Sequence, residues 1–320
     1  MGLVPLTQMG IRGLYGFIKR RMPRQCKALN IDSYKGQTWG IDISCLLYKA
    51  RAASLSPLTV IAGLVVRLKA AEIQPIFIFD GRPPTSKAHV VEQRRTVRLA
   101  AQKEVADIRI DIDNREMPSD ERSRLEERIT TLQSQAPQIT SNEKDEIKSF
   151  LYAAGVLFVS AAGEADDLLA YLCRDKQISA VISSDMDMLA RGVSHLIIPD
   201  TADGTCFIVL SIEGILEELR INYRQFVEAC MLMGSDYSAR GWTSIEPNRA
   251  FEMVRRGLSV DISGSILDGS HLLMGSHVGW DDLLSDRQRA KWLAGVPAVE
   301  PDTLAALCRK HGWPASWSAL

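Results

Sequence analysis

The sequence lacks a long hydrophobic run, a closely spaced cysteine pair and an excess of charge of either sign. Its longest apolar stretch, residues 58–66, is much shorter than the roughly 20 residues that a membrane-spanning helix needs. The first residues also lack the uninterrupted apolar segment of a signal peptide. None of the six cysteines stands in a C-x-x-C motif, which argues against a zinc knuckle. We therefore expect an intracellular protein without a membrane anchor.

The overall charge argues against a nucleic-acid-binding protein that is basic over its whole surface. With 38 basic and 39 acidic residues, the net charge is −1, whereas nucleic-acid-binding domains are usually basic. Any surface that binds a polyanion must therefore be local and balanced by acids elsewhere. Hydrophobic residues make up 46% of the 320, which is enough for one large domain with a sizeable core.

The first half alternates short apolar strands with amphipathic helices. This alternation predicts an α/β fold with a mainly parallel central sheet flanked by helices. The predicted strands are residues 38–43, 74–79, 156–159 and 180–183. The predicted helices are residues 57–72, 142–154 with Ser141 as the cap, and 164–175.

Residues 84–137 do not follow that alternation. They are rich in charge, poor in large apolar residues and too long for an ordinary loop, so we expect a helical insertion over the edge of the sheet. Residues 1–258 are predicted to form the main domain, with an N-terminal part at 9–110 and an internal part at 141–258. Residues 259–320 are predicted to form a divergent helical tail.

Acidic residues stand where predicted strands end. Asp42, Asp80 and Asp185 each follow an apolar strand, and Asp187 comes two residues later. Because the carboxyl ends of parallel strands meet at one edge of a sheet, these side chains should lie together. Two further acids, Glu164 and Asp166, begin a predicted helix, and Asp236 follows another apolar run. Any single one of them has an alternative interpretation as a helix cap or a turn residue.

Seven such carboxylates would repel one another strongly unless cations lay between them. Oxygen-only ligands suit Mg²⁺ or Mn²⁺. Two ions about 4 Å apart are a common apparatus for phosphodiester hydrolysis. The predicted metal ligands are Asp42, Asp80, Glu164, Asp166, Asp185, Asp187 and Asp236.

The motifs that contain these acids resemble those of the flap endonuclease family, which includes exonuclease 1 and the xeroderma pigmentosum group G nuclease. Six segments match in order over about residues 9–237: MGIRGL at 9–14, GIDIS at 40–44, FDGRPP at 79–84, EAD at 164–166, SDMD at 184–187 and GSDY at 234–237. The resemblance implies a PIN-like 5′-nuclease fold, a two-metal site that includes Asp185 as a catalytic ligand, and cleavage of DNA near a flap, free 5′ end or junction. It also implies roles in DNA replication, repair or recombination, in the nucleus or at the site of DNA replication.

A basic segment follows FDGRPP. Lys87, Arg94 and Arg98 fall on one face of a helix, and Arg95 and Lys103 add to the positive charge. Such cations would attract the phosphate towards carboxylates that repel it. The resemblance implies that Lys87 and Arg94 contact the scissile phosphate and that Tyr48 lies beside the cleaved nucleotide. The alternative is a solvated face held by ion pairs within the helix.

The chain departs from the family pattern in three places. Eight residues precede Met9, no sliding-clamp box is recognisable, and the glycines of the hairpin after GSDY are replaced in SIEPNRA at 244–250. Glu246 would repel a DNA phosphate there, although Arg249 could still contact one. We therefore expect a weakened K⁺ site; the alternative is a hairpin that survives with a shifted loop. Two alternatives stay open: a related RNA nuclease, and a non-catalytic scaffold, against which all seven acids argue. A monomer is expected.

Overall fold

The computed structural model describes residues 10–83, 85, 88–234, 245–257 and 280–319. Seven strands form one sheet in the order β1-β7-β6-β5-β2-β3-β4. The five strands β2 to β6 run parallel, while β7 pairs antiparallel with both β6 and β1. The strands are β1 Lys27–Ala28, β2 Thr38–Asp42, β3 Gln74–Phe79, β4 Leu157–Ser160, β5 Ala180–Ile182, β6 His195–Pro199 and β7 Phe207–Ser211.

Helices cover both faces of the sheet. Along β3, Ile76 and Ile78 belong to one hydrophobic core, and Phe77 and Phe79 belong to the other. This alternation follows from the two-residue period of a strand. The described helices are α1 Leu14–Arg21, α2 Ile43–Ala52, α3 Pro57–Ala70, α4 Ala88–Asn114, α5 Ser119–Gln135, α6 Ser141–Ala153, α7 Ala165–Arg174, α8 Asp187–Ala190, α9 Ile212–Leu219, α10 Tyr223–Met233, α11 Pro247–Arg255, α12 Trp280–Leu283, α13 Asp286–Ala294 and α14 Pro301–His311.

The predicted strands and helices agree with the structure to within one or two residues at their ends. The cap of α6 is a correction: Thr140 precedes the helix and accepts the N–H of Glu143, whose carboxylate returns to the N–H of Thr140. This reciprocal pair is a capping box, and it displaces Ser141 into the first turn of the helix. The sequence patterns do not predict β1, β6 or β7, so the antiparallel edge of the sheet is found only in the structure.

The predicted insertion is a helical hairpin. α4 spans 27 residues and packs against α5 through Ala101, Leu132 and Ala136. We call this pair of helices the arch. The C-terminal tail is helical where it is described, and α14 packs against α6 with Leu304 buried. No helix among the described residues is long and apolar enough to cross a membrane.

Candidate metal centre and nucleic-acid interface

Asp42 stands at the carboxyl end of β2, where the strand turns into α2. Its side chain accepts the N–H of Cys45 at 3.3 Å and so caps the helix. Its other oxygen accepts the hydroxyl of Ser183, which follows β5, at 2.9 Å. Asp42 is buried, and these two donors fix its orientation at the edge of the sheet.

Asp185 and Asp187 are connected to Asp42 through the same serine. Ser183 Oγ accepts the N–H of Asp185 at 3.1 Å, and Asp185 Oδ1 accepts the N–H of Asp187 at 2.8 Å. Gly10 packs directly on this segment with a φ of +82°, and a Cβ on it would lie 2.1 Å from Asp185 Oδ1. Only glycine fits there, because a side chain would collide with the carboxylate and strain the backbone.

Asp80 follows β3 and connects the edge to the start of α7. One of its oxygens accepts the hydroxyl of Ser44 at 2.5 Å, and the other accepts the N–H of Ala165 at 2.9 Å. That N–H lies between Glu164 and Asp166, so both acids are held beside Asp80. The turn itself requires Gly81, whose Cβ would lie 2.1 Å from the carbonyl oxygen of Ala161.

A buried arginine neutralises part of this acidic edge. Arg191 follows α8 and is only 5% exposed. Its guanidinium forms ion pairs with Asp167 and with Glu164, the latter at 3.8 Å. Arg191 therefore connects the segment of Asp185 and Asp187 to the start of α7.

The acids interact electrostatically across the edge. Burial raises the pKa of Asp42 well above its ordinary value, and the negative charges of Asp166 and then Asp80 raise it further. The hydrogen bonds from Ser183 and Cys45 oppose that shift only in part. A carboxylate with this pKa is a strong candidate for a cation ligand, because a bound cation would restore its charged form.

The donor set fits a hard divalent cation. Six of the seven predicted ligands are described, and all six lie at the carboxyl edge of the sheet with oxygen donors only. Asp236 lies outside the described residues. Among the residues described, no three acidic, histidine or cysteine side chains are placed closely enough to hold one ion between them. The seven-acid ligand set therefore stays a prediction.

The arch brings two predicted basic residues to this edge. Arg94 and Arg98 line a cavity of about 340 Å³ together with Tyr48, Cys45 and Ser184. The N–H of Cys45 donates to Asp42, and Ser184 stands between Ser183 and Asp185 in the sequence. The cavity therefore joins the acidic edge to the cationic face of α4, and Tyr48, which is 36% exposed, lies on its wall.

Other predicted binding residues lie elsewhere. Arg95 is exposed and pairs with Glu92 at 3.6 Å. Lys103 and Arg249 are also exposed, on α4 and α11 respectively. Neither they nor Arg95 line the cavity. Lys87 lies outside the described residues, so its contact with the scissile phosphate stays a prediction.

The divergent hairpin segment is described from Ile245 onward. α11 begins at Pro247 and buries Ala250. Glu246 is its N-cap: the side chain accepts the N–H of Arg249 at 3.4 Å and the amide of Asn248 at 3.0 Å. A carboxylate of the protein thus takes the position at the helix N-terminus that an anion would occupy.

Sequence reasoning missed the residues that hold the acids in place. Ser44 and Ser183 follow strands and have no distinctive pattern, and their role depends on which strand lies next to which. Arg191 has one recognisable signal: it is an arginine that directly follows the apolar run Met188–Ala190 of α8, where an unpaired cation would be costly.

The sheet with its acidic carboxyl edge and helical arch defines a 5′-nuclease fold. The XPG N-terminal domain model matches residues 9–101, and the XPG I-region model matches residues 155–236. Together these regions make up more than half of the chain, and they contain all seven predicted acids. The chain belongs to the flap endonuclease family.

Curated relatives are distant but match over a long region. Flap endonuclease 1 from Homo sapiens is 27% identical over 272 residues, which cover 79% of this chain and 68% of that protein. The Entamoeba histolytica flap endonuclease 1 is 27% identical over 271 residues, with coverage of 79% and 69%. The Babesia bovis flap endonuclease 1 is 28% identical over 268 residues, but this chain spans only 38% of its length.

Solved structures share the fold at low identity. The catalytic core of Rad2 in complex with DNA substrate superposes with a TM-score of 0.66 and 16% identity, covering 97% of this chain and 98% of that one. Flap endonuclease-1 from Methanococcus jannaschii gives a TM-score of 0.64 at 17% identity, covering 97% and 95%. These similarities establish that the fold extends beyond the regions matched by the family models.

Proposed function

We propose that the protein is a structure-specific 5′ nuclease that hydrolyses DNA phosphodiester bonds with divalent cations held by the acidic edge. One observation carries the proposal: the strand-end acids of β2, β3 and β5 lie on the same edge, and the cavity beside them is lined by Arg94 and Arg98 of the arch. Its family membership and the names of its relatives support DNA with a flap, a free 5′ end or a junction as the substrate.

The acids would hold the cations, and the protein positions the acids. Asp42, Asp80, Asp185 and the pair Glu164 and Asp166 provide hard oxygen ligands, as Mg²⁺ or Mn²⁺ requires. When bound, two such ions lower the pKa of a water molecule and stabilise negative charge on the phosphate. The serines and the N–H of Ala165 fix the carboxylates in place before substrate arrives.

The arch would place the reacting phosphate. Arg94 and Arg98 line the cavity next to the acidic edge, and their positive charges would lower the cost of bringing a phosphate near carboxylates. These donors would also stabilise the charge that develops in the transition state. Tyr48, on the cavity wall, offers an aromatic face on which the base beside the cut could stack.

The direct test is cleavage of a 5′-labelled flap with and without Mg²⁺. We expect cutting near the base of the flap that stops in EDTA and returns with Mg²⁺ or Mn²⁺. Matched DNA and RNA flaps should show faster cleavage of DNA, and the reverse order would favour the RNA nuclease. No cleavage of any flap, duplex end or junction in either metal would overturn the proposal and favour the scaffold.

The number of ions is tested separately. If two ions take part, the single-turnover rate at low Mg²⁺ should rise with roughly the second power of its concentration. A first-power dependence over the whole range would argue for one ion. Calorimetric titration of Mn²⁺ into the protein gives the same count without relying on activity.

A further inference from the structure

A cluster of cations lies on a face that the proposed active site does not use. α1 packs on α11: the rings of Phe17 and Phe251 are 5.1 Å apart, and Arg21 Nε donates to Asn248 Oδ1 at 3.3 Å. This packing places the basic end of α1 and the turn that follows it beside the basic residues of α11. We call the set the α1–α11 surface: Lys19, Arg20, Arg21, Arg24, Arg249 and Arg255.

The side chains of this surface are available for an anion. All six are exposed, and none of them forms an ion pair with an acid in the part of the chain that is described. The acids of α11 are already engaged, since Glu252 pairs with Arg256 and Glu246 caps the helix. In a chain with a net charge of −1, so many exposed cations without acidic partners form a locally positive face.

The helix dipole accounts for only part of this pattern. Basic residues in the last turn of a helix are favoured by the dipole, and this applies to Lys19, Arg20 and Arg21. Arg24 lies beyond the end of α1, and Arg249 lies in the first turn of α11, where a cation is disfavoured. The helix dipole therefore does not explain why Arg24 and Arg249 are cations at these positions.

The surface lies within reach of the acidic edge. Gly10 packs on Asp185, Gly13 packs on Pro247 at the start of α11, and α1 begins at Leu14. An eight-residue helix is about 12 Å long. Since a duplex rises about 3.4 Å per base pair, the cations at the far end of α1 lie only a few base pairs from a phosphate held at the acids.

We propose that the α1–α11 surface binds the phosphate backbone of the duplex next to the cut, taking over from the motif glycines that Ser244 and Glu246 replace in this sequence. The inference rests on the proposed function for the identity of the nucleic acid. Two packed helices lie roughly 8–10 Å apart and so offer two rows of cations. Two rows of cations suit the two phosphate backbones of a duplex, whereas a single strand would contact only one row.

The test is the salt dependence of DNA binding by the triple variant Arg20→Ala/Arg21→Ala/Arg24→Ala. Binding is measured by fluorescence anisotropy in Ca²⁺ with a flap whose duplex arm is closed by a hairpin and varied in length. Each phosphate contact contributes about 0.9 to the slope of log affinity against log salt. We expect the slope to fall by about 2 to 3 and the affinity to fall at least about tenfold at about 0.1 M salt. The loss should grow with duplex length.

The matched control is Arg122→Ala/Arg124→Ala/Arg309→Ala. It removes the same number of exposed arginines, two of them paired with acids on α5. The variant Arg20→Lys/Arg21→Lys/Arg24→Lys keeps the charge and should restore the slope. Circular dichroism checks that every variant is folded. An unchanged slope in a folded triple variant, an equal loss in the control, or a loss that follows flap length instead of duplex length would overturn the inference. Absence of cleavage by the wild type would overturn the proposed function instead.

Discussion

The arch and the α1–α11 surface are both rich in arginine, but they use it differently. In the arch, most arginines pair with acids of the same hairpin: Arg95 with Glu92, Arg115 with Glu121, Arg122 with Glu126, Arg124 with Asp120 and Arg128 with Glu104. On the α1–α11 surface, none of the arginines forms an ion pair with an acid among the described residues, and the neighbouring Arg256 pairs with Glu252.

The difference indicates two kinds of contact with a polyanion. The arch is nearly neutral as a whole and directs Arg94 and Arg98 into the cavity beside the acids, which suits the placing of one phosphate. The unpaired α1–α11 cations suit a longer, salt-dependent hold on many phosphates. Substitutions in the arch should therefore change rate, and those in α1 should change affinity.

The largest effect should come from the acids, which neither basic region can replace. Asp185→Asn removes a ligand charge and should lower the single-turnover rate on a flap by about a thousandfold or more, because metal stabilisation contributes several kcal/mol. Binding in Ca²⁺ should change little, since both basic regions remain. A rate close to wild type in Mg²⁺ would remove Asp185 from the site.

The second largest effect is expected from substituting an arch residue that lines the cavity. Arg94→Ala should lower the single-turnover rate by about a hundredfold while affinity changes only a few-fold, as for donors that act on the transition state. The same is expected of Lys87→Ala from the sequence. Arg95→Ala is the control, since Arg95 is exposed and paired with Glu92. If Arg94→Ala weakens binding and leaves the chemical step unchanged, then the arch contributes to affinity in the same way as the α1–α11 surface, and the contrast between the two regions is wrong.

Arg191 tests whether the acidic edge needs a cation of its own. Arg191→Met leaves Glu164 and Asp167 without their partner and should lower the free energy of unfolding by about 2–4 kcal/mol, after allowance for the partial exposure of Asp167. Urea denaturation measures the change. Arg124→Met is the control, because Arg124 and its partner Asp120 are both exposed on the surface of α5. Equal stability of the two variants would show that Arg191 is not required.

The smallest effect concerns Glu246, the carboxylate that caps the N-terminus of α11. Cleavage by the wild type should depend little on K⁺ at constant ionic strength. Glu246→Gly should raise duplex affinity a few-fold, since a repulsive charge is removed and glycine costs only a few tenths of a kcal/mol as an N-cap. Glu246→Gln separates charge from backbone freedom. Strong K⁺ dependence that the substitution leaves unchanged would show an intact cation site.

Much of the site could be predicted because its acids are tied to strand ends. A buried strand followed by aspartate is visible in TWGID and QPIFIFD, and parallel strands bring such ends together whatever lies between them. The contact of Lys87 with the scissile phosphate could be assigned only by resemblance, and both Lys87 and Asp236 lie outside the described residues. The capping box at Thr140 shows how a reciprocal contact one residue earlier can move a helix start.

By itself the sequence determined the strand and helix periodicity, the acids at the sheet edge and the basic face of α4, because each depends on residues close together in the chain. Only the tertiary structure decided which contacts hold those acids: Ser183 reaches Asp42 across 141 positions, and Arg191 reaches Asp167 across 24. It also decided that α1 and α11, more than 200 residues apart, form one basic surface. Such contacts depend on the packing order of strands and helices, which local patterns do not specify.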